Sequence, residues 1–162
     1  MYNFDNVLET TKKTYWTNLM KYIVLHHTWN TNYKGNCNYL SGKPGLLNKV
    51  SCHFVVWQKG EACKIWQPTD VLHHMWTWNY KWITNMNFHA LWIEVCWPKF
   101  TKVQYDKVTD LVKYLMKTFK IPATNIIRHA DYTKRKVDIS NDFFIVWGLK
   151  GIEQYRKFII NK

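Results

Sequence analysis

Histidine and carboxylate side chains stand at the ends of short apolar runs, where they could form a metal site. The run in "KYIVLHHTWN" ends in His26 and His27, and the run in "NIIRHAD" ends in His129. Asp138 follows within the basic stretch "KRKVDIS". Two imidazoles and one carboxylate form a standard ligand set for catalytic zinc, with a fourth position left for water. Either histidine alone is better interpreted as a core residue, but the grouping at run ends favours metal.

A second carboxylate and a lysine could complete a hydrolytic site. Glu94 lies in "LWIEVCW", where a charged group is costly to bury unless it has a partner or a chemical task. A glutamate with a raised pKa could accept the proton of a zinc-activated water. A buried salt bridge to a lysine is the alternative. Lys136 could stabilise negative charge on a substrate oxygen, although it could equally be ordinary surface charge.

The elements that would position these side chains follow from the spacing of apolar residues. Strands are predicted over 21–27, 90–97 and 125–131, with a hairpin in "VSCHFVVWQKGEACKIWQ" that turns at Gly60. A helix is predicted over 101–119 and another over about 151–160. In the helix over 101–119, Thr101 and Gln104 form a capping pattern at the start. Its apolar face consists of Val108, Leu111, Val112, Leu115 and Phe119. This order predicts an α/β fold with a mixed central sheet flanked by helices.

The length of 162 residues suits a single domain with a substantial core. Residues 1–20 are expected to form an N-terminal arm or a short helix, and 21–162 the catalytic domain. The Asn-, Gly- and Lys-rich stretch 30–49 is predicted to be a long loop that could include a short helix. Loops of this length inside a compact domain are usually functional.

The composition indicates which classes of partner and which cellular compartment to expect. The net charge of +12 favours a polyanionic partner, such as nucleic acid, an anionic membrane or an acidic cell wall. The ten tryptophans suggest aromatic rings lining a groove for sugars or bases. We find no stretch typical of a signal peptide or a membrane span, which predicts synthesis in the cytoplasm. The four cysteines lack CxxC spacing and are expected to be free thiols there.

At four places the sequence resembles the zinc-dependent type 2 N-acetylmuramoyl-L-alanine amidases, which share their fold with peptidoglycan recognition proteins. The matching segments are "YIVLHHT", "VSCHFVVWQKGEACKIWQPTDVLHH", "NFHALWIEV" and "IIRHADYTKRKVD", between about Lys21 and Phe144. The first resembles the strand that carries the family's first zinc ligand. The last resembles the family's "GHxDixPxRKxDPG" segment.

The resemblance assigns roles residue by residue. It implies zinc ligation by His26, rather than His27, together with His129 and Asp138. It implies that Glu94 is the catalytic base and Lys136 the catalytic lysine. His74 lies near a family histidine of the substrate groove, although His73 competes for that match, and His53 is expected to be structural. Trp76 and Trp92 are further candidate substrate-binding residues.

The sequence also departs from the family pattern. The interval from His129 to Asp138 is one residue shorter than is common, and Ile-Ser follows Asp138 in place of Pro-Gly. Ala90-Leu91-Trp92 replaces the usual Ser-Ile-Gly, which places a bulky ring near the predicted base. The stretch 75–86 is unusually aromatic. We therefore expect an active enzyme with an atypical substrate pocket.

The resemblance implies a monomeric zinc hydrolase that cleaves the amide between N-acetylmuramic acid and L-alanine in peptidoglycan. A phage or prophage endolysin, held in the cytoplasm until release and then acting on the anionic wall, fits best. A cytoplasmic recycling amidase is an alternative. Two other classes remain open: a non-catalytic peptidoglycan-binding module, and a single-stranded nucleic-acid binder supported by charge and aromatic content. The second would leave the metal-type residues unexplained, so no nucleic-acid partner is expected.

Overall fold

A mixed six-stranded sheet organises the chain in the computed structural model, which describes residues 2–8, 17–41, 50–72, 74, 79–133 and 138–161. The strands are β1 (Asn6–Val7), β2 (Tyr22–His27), β3 (Phe54–Val56), β4 (Ala62–Lys64), β5 (Ala90–Val95) and β6 (Ile126–Arg128). Their order across the sheet is β1-β4-β3-β5-β2-β6. Only the β3–β4 pair among these is antiparallel; the other neighbours run parallel. The predicted α/β class is confirmed.

Helices cover both faces of this sheet. They are α1 (Tyr33–Leu40), α2 (Lys102–Phe119), α3 (Asp142–Ile145) and α4 (Ile152–Ile160), and short 3-10 helices span Met86–Phe88, Ala123–Asn125 and His129–Asp131. The larger core lies between the sheet and the helices α2, α3 and α4, and the smaller core lies under α1. No helix in the described ranges has the length and apolar character needed to cross a membrane.

The alternation of side chains along the central strands determines which residues reach each core. In β2, Ile23 and Leu25 pack into the larger core, whereas Val24 packs into the smaller one. Because successive strand residues point to opposite faces, His26 shares the face of Val24. The parallel register pairs His26 with Glu94 of β5, so both side chains project on the same side of the sheet.

Helix α2 shows how the sequence determines its own boundaries. The Thr101 hydroxyl accepts a hydrogen bond from the Gln104 backbone N–H at 3.1 Å, which caps the first turn. The Gln104 side chain does not complete the capping box; its amide donates instead to the carbonyls of Val56 and Cys96. The predicted face is buried at Val108, Leu111, Val112 and Leu115, and Phe119 is half-buried against the same core.

Other predicted elements are found close to their expected positions. The hairpin turns at Gly60, whose φ of 86° is readily adopted by glycine. The stretch 30–49, predicted mainly as loop, includes α1, while 42–49 lie outside the described residues. The expected arm contains β1, which pairs with β4; the division at residue 20 remains a prediction. All four cysteines are buried and free.

Candidate active site

The candidate site forms where three parallel strands end. His26 is the next-to-last residue of β2, Glu94 lies opposite it in β5, and His129 directly follows β6. The carboxyl ends of parallel strands meet at one edge of a sheet, where ligands usually bind in open α/β folds. His26 and His129 were predicted at strand ends and Glu94 within a strand, and the sheet order β5-β2-β6 brings the three side by side.

Asp138 joins the two histidines. Its Oδ2 lies 3.0 Å from His129 Nδ1 and 3.2 Å from His26 Nδ1. The two imidazole centroids are 4.2 Å apart, and all three residues are buried. The Ala130 backbone N–H donates to the Asp138 carbonyl at 2.7 Å, which fixes the carboxylate-bearing segment beside the histidine. The structure therefore brings together the three predicted metal ligands, whose role as ligands stays a prediction.

A braced turn holds His129 in position. The Asp131 carboxylate accepts a hydrogen bond from the Arg128 backbone N–H at 2.8 Å and forms an ion pair with the Arg128 guanidinium at 2.7 Å. The same guanidinium donates to Asn141 Oδ1 at 2.9 Å. These contacts tie the short helix His129–Asp131 to the segment after Asp138 and so restrict the separation of the two candidate ligands.

His74 holds the second carboxylate. Its Nε2 lies 3.0 Å from Glu94 Oε1, and its Nδ1 lies 2.8 Å from the carbonyl oxygen of Ser51. A carbonyl only accepts hydrogen bonds, so Nδ1 carries a proton and donates it. The Nε2 and Oε1 atoms lie within hydrogen-bonding distance of each other. His74 was predicted as a substrate-binding residue; the geometry shows it in contact with Glu94.

Burial and hydrogen bonding have opposite effects on the pKa values of the ionisable groups in the cluster. Burial alone would raise the pKa of Asp138, but hydrogen bonds from His129 and His26 outweigh it and hold that pKa well below its usual range. Burial, reinforced by the charge of His74, lowers the pKa of His26 to about 3. The cluster therefore favours an ionised Asp138 beside a neutral His26.

The pKa of Glu94 differs from the sequence-based expectation. Burial alone would raise it, but the hydrogen bond from His74 and the charges of His74 and His26 lower the pKa below its usual value. The expectation of a raised pKa was wrong because it considered the apolar neighbours of Glu94 in sequence and not the imidazoles across the sheet edge. A lowered pKa keeps Glu94 in the form that accepts a proton.

The donor atoms present fit a zinc ion. One ligand atom each from His26, His129 and Asp138 lies within 4.8 Å of the others. Zinc ligands at about 2.0–2.2 Å in a tetrahedral arrangement lie about 3.3–3.6 Å apart, and the two nitrogen–oxygen distances to Asp138 Oδ2 are slightly shorter. Asp138 Oδ1 and Glu94 Oε2 are buried without a hydrogen-bond partner among the described residues. Such acceptors are suited to a cation or an activated water.

A second set of donors, His26, His74 and Glu94, also lies within 4.8 Å. Metal bound there would break the hydrogen bond that joins His74 Nε2 to Glu94. The set with Asp138 leaves that bond intact, so it is the better candidate.

Trp92 lies beneath the site. Its ring stacks on His74 with centroids 5.0 Å apart and contacts His26 edge-on at 5.4 Å. The residue is fully buried, so it supports the two imidazoles and has no surface for a substrate. The expectation that Trp92 contacts substrate is corrected accordingly. Its backbone N–H donates to His53 Nδ1 at 3.0 Å, while His53 Nε2 lies 3.1 Å from the Asp70 carbonyl, consistent with a structural His53.

Tyr132 was not among the site residues predicted from the sequence. Its ring stacks on His129 at 5.1 Å, and its hydroxyl lies 3.4 Å from His26 Nε2. Burial raises the pKa of Tyr132 far above its usual value, so it remains a neutral phenol. Its position three residues after His129 in "HADY" was a usable signal, since one short helical turn returns the chain to the same side.

A groove of about 920 Å³ opens from this cluster. At its near end lie His26, His74, Glu94, His129 and Asp138. Its other wall comes from the connection after β2 and from α1, including Trp29, Asn32, Asn36 and Tyr39. Trp29 is 69% exposed, which leaves a flat aromatic face at the rim. Two predicted site residues, Lys136 and Trp76, and the competing His73 lie outside the described residues.

His27 lies away from the cluster. Its ring packs on Trp97 with centroids 5.6 Å apart and near Phe100 at 6.1 Å. It borders the groove but belongs to neither set of candidate metal ligands. The alternation along β2 therefore separates the two adjacent histidines.

Known proteins share both the sequence pattern and the fold. The family model for N-acetylmuramoyl-L-alanine amidase matches residues 16–141. The solved structure of PlyL has 20% sequence identity and a TM-score of 0.64 over 85% of this chain and 86% of that chain. A mutant endolysin from Bacillus subtilis has 20% identity and a TM-score of 0.65 over 88% of this chain and 99% of its own.

A third structure was solved with a ligand. It is the N-acetylmuramyl-L-alanine amidase AmiD from E. coli, in complex with the substrate anhydro-N-acetylmuramic acid-L-Ala-D-gamma-Glu-L-Lys. It has 20% identity and a TM-score of 0.67, over 84% of this chain and 59% of that chain. At such identities these structures establish the fold. A search of curated proteins gives no match.

Proposed function

The chain belongs to the N-acetylmuramoyl-L-alanine amidase family, and from that premise we propose that it is a zinc-dependent peptidoglycan hydrolase. The bond cleaved is the amide between N-acetylmuramic acid and the L-alanine of the stem peptide. The observation that carries this proposal is the convergence of His26, His129 and Asp138 beside Glu94 in the lining of the groove. A family fold without such a cluster would support peptide binding alone.

His26, His129 and Asp138 are the proposed zinc ligands. Zinc held there would polarise the scissile carbonyl and lower the pKa of the attacking water. The chain's own contribution is to hold the three donors together before the metal arrives. The Asp138 carboxylate stays ionised between the two imidazoles, and the braced turn after β6 limits their movement.

Glu94 is the proposed general base. Its Oε1 is held by His74, whereas its Oε2 has no hydrogen-bond partner among the described residues and so can accept a proton from water. The same carboxyl group would then return this proton to the leaving amine of L-alanine. His74 is proposed to position Glu94, because both of its ring nitrogens are engaged by Ser51 and Glu94.

Substrate recognition is assigned to the groove. The exposed ring of Trp29 and the half-exposed Tyr39 offer apolar faces for sugar and peptide, and the exposed amide of Asn32 offers a hydrogen-bond donor. Lys136, which the family resemblance assigns to the oxyanion, and Trp76 remain proposals from the sequence alone. Burial of the aromatic ring excludes Trp92 from this list.

The biological role that we propose is that of a phage or prophage endolysin. It would remain in the cytoplasm as a monomer until release and then act on the anionic cell wall. The net charge of +12 supports attraction to such a wall. A recycling amidase would use the same chemistry on soluble muropeptides, and comparing the rates on intact walls and on soluble fragments separates the two roles.

Digestion of purified peptidoglycan with mass analysis of the products tests the reaction. The proposal predicts glycan strands with intact muramic acid, together with peptides that begin with a free L-alanine amine. Chelation of metal before digestion should stop the release of these peptides, and added zinc should restore it. New reducing sugar ends would indicate a glycosidase, and binding without any release would indicate a recognition module.

A further inference from the structure

A second groove lies far from the cluster, between the carboxyl-terminal ends of α2 and α4. It has a volume of about 420 Å³ and is lined by Lys113, Met116, Lys117, Lys120, Ile121, Pro122, Ile159 and Ile160. Ile121 and Pro122 lead into β6 from its amino-terminal end, whereas His129 follows β6 at the other end. This α2–α4 groove therefore opens at the edge of the sheet opposite the candidate active site.

Three lysines border the α2–α4 groove. Lys113 and Lys117 are four residues apart and lie on one face of α2, and Lys120 is the residue that caps the end of this helix. None of them forms an ion pair with a described residue, and no acidic side chain lines the groove. Lysines earlier on the same helix differ, since Lys102 pairs with Asp106 and Lys107 pairs with Asp5. The positive charge at this end is thus uncompensated within the described structure.

The floor of the groove is apolar. The apolar side chains in the groove are those of Met116, Ile121, Ile159 and Ile160. Ile160 is 65% exposed. Lysines near the end of α2 are explained in part by the helix dipole, which favours cations there. The dipole does not explain an exposed isoleucine among them. The two helices also end here with their carbonyl groups, so the backbone offers no N–H groups to hold a small anion within the groove.

We propose that the α2–α4 groove docks the protein on an anionic lipid bilayer. The lysine ammonium groups would contact lipid phosphates, and Ile160 with Met116 would enter the boundary between headgroups and acyl chains. A lipid surface accounts for both features, whereas a soluble polyanion accounts only for the charge. In this orientation the active-site groove faces away from the membrane. The proposal is independent of the reaction assigned to that groove.

Sedimentation with vesicles tests this inference on the full chain. The probes are vesicles of phosphatidylcholine alone and vesicles containing equal parts of phosphatidylglycerol. The wild-type protein should bind the anionic vesicles and dissociate from them as the salt concentration rises. Replacing Lys113, Lys117 and Lys120 by glutamine should weaken this binding about 100-fold, since each basic residue contributes about 5-fold at an anionic surface.

A matched control removes the same charge elsewhere. Glutamine at Lys34, Lys99 and Lys150, all exposed and outside the groove, should change vesicle binding by less than about 5-fold. Melting temperature and hydrolysis of a small soluble muropeptide should stay unchanged in both triple variants. Equal loss of binding in the two triple variants, or no binding of wild type to anionic vesicles, would overturn the proposal.

Ile160→Ser separates a bilayer from a wall polymer. This change should lower binding to anionic vesicles at least several-fold and leave binding to a soluble glycerol-phosphate polymer unchanged. If wild type binds the polymer as tightly as the vesicles, and Ile160→Ser alters neither, the groove is a polyanion site and the lipid assignment is wrong.

Discussion

His74 connects the Ser51 carbonyl to the Glu94 carboxylate, with its two ring nitrogens 2.8 Å and 3.0 Å from those oxygens. Trp92 packs flat against the same ring from below. The imidazole therefore has neither a free nitrogen nor room to rotate. One oxygen of Glu94 is fixed in consequence, and the other is left to face the site.

This relationship predicts how His74 variants behave. His74→Ala should lower kcat about 10- to 100-fold, because the base loses the group that orients it, while KM and zinc content change little. His74→Gln, which can still donate to Glu94, should recover part of the loss. If His74 instead binds substrate, as its sequence match implied, KM should rise with kcat nearly constant. Steady-state kinetics on a soluble muropeptide separate these outcomes.

The adjacent histidines provide a matched pair for the metal. Elemental analysis of the wild type should give about one zinc per chain. His26→Ala should lose the metal, because His26 contacts Asp138, and His27→Ala should retain it, because its ring packs on Trp97. Zinc loss in His27→Ala alone would reverse the assignment. A wild type without zinc after metal-replete purification would rule out the ligand set.

A substitution that creates a cavity tests which face of α2 is buried in the core. Leu111 is fully buried against the larger core, so Leu111→Ala should lower the free energy of unfolding by about 2–5 kcal/mol. Val103 lies on the same helix but is 57% exposed, and Val103→Ala should cost less than about 0.5 kcal/mol. Urea denaturation of both variants measures the difference. Similar losses in the two would mean that the buried face is misassigned.

His53 should make stability depend on acid. Burial lowers the pKa of His53 to about 3 in the folded protein, against about 6.5 in an unfolded chain. Below pH 6.5 the unfolded chain binds a proton that the folded one does not, so the contribution of neutral His53 is complete above pH 6.5 and falls toward pH 3. At pH 4.5 the free energy of unfolding is therefore lower by about 2–3 kcal/mol, since a difference of one pKa unit corresponds to about 1.36 kcal/mol.

The His53→Gln variant isolates this effect. Glutamine can accept from the Trp92 N–H or donate to the Asp70 carbonyl but does not titrate, so its stability should vary less between pH 7 and pH 4.5. Chemical denaturation of both proteins in a chelating buffer gives the comparison, and the other histidines cancel in the difference. Parallel pH profiles would show that His53 is not the group responsible.

The sequence predicted the parts of the site that local patterns determine. The apolar runs predicted the strands, with His26 and His129 at strand ends and Glu94 within a strand, and the parallel pairing of these strands brings the three residues to one edge of the sheet. The hydrogen bond between His74 and Glu94 depends on packing between segments 20 residues apart, which no local pattern encodes. For the same reason the sign of the Glu94 pKa shift was predicted incorrectly.

The depth of a side chain was equally hard to predict. Trp92 was expected near the base, and it is there, but burial under His26 and His74 removes it from contact with solvent. Tyr132 was missed because its contact with His129 depends on the 3-10 turn that follows β6. Both results depend on tertiary packing, which apolar periodicity does not resolve.

The most direct test of the account is the turnover of zinc-loaded Glu94→Gln on purified peptidoglycan. The change keeps shape and volume, and Glu94 belongs to the less favoured ligand set, so zinc content and melting temperature should stay near those of wild type. The account predicts a rate about 10² to 10⁴ lower, the usual contribution of a positioned base. Loss of zinc would make Glu94 a ligand, and loss of folding would make it a structural ion-pair partner. Near wild-type turnover in a folded, zinc-loaded Glu94→Gln protein would contradict the mechanism.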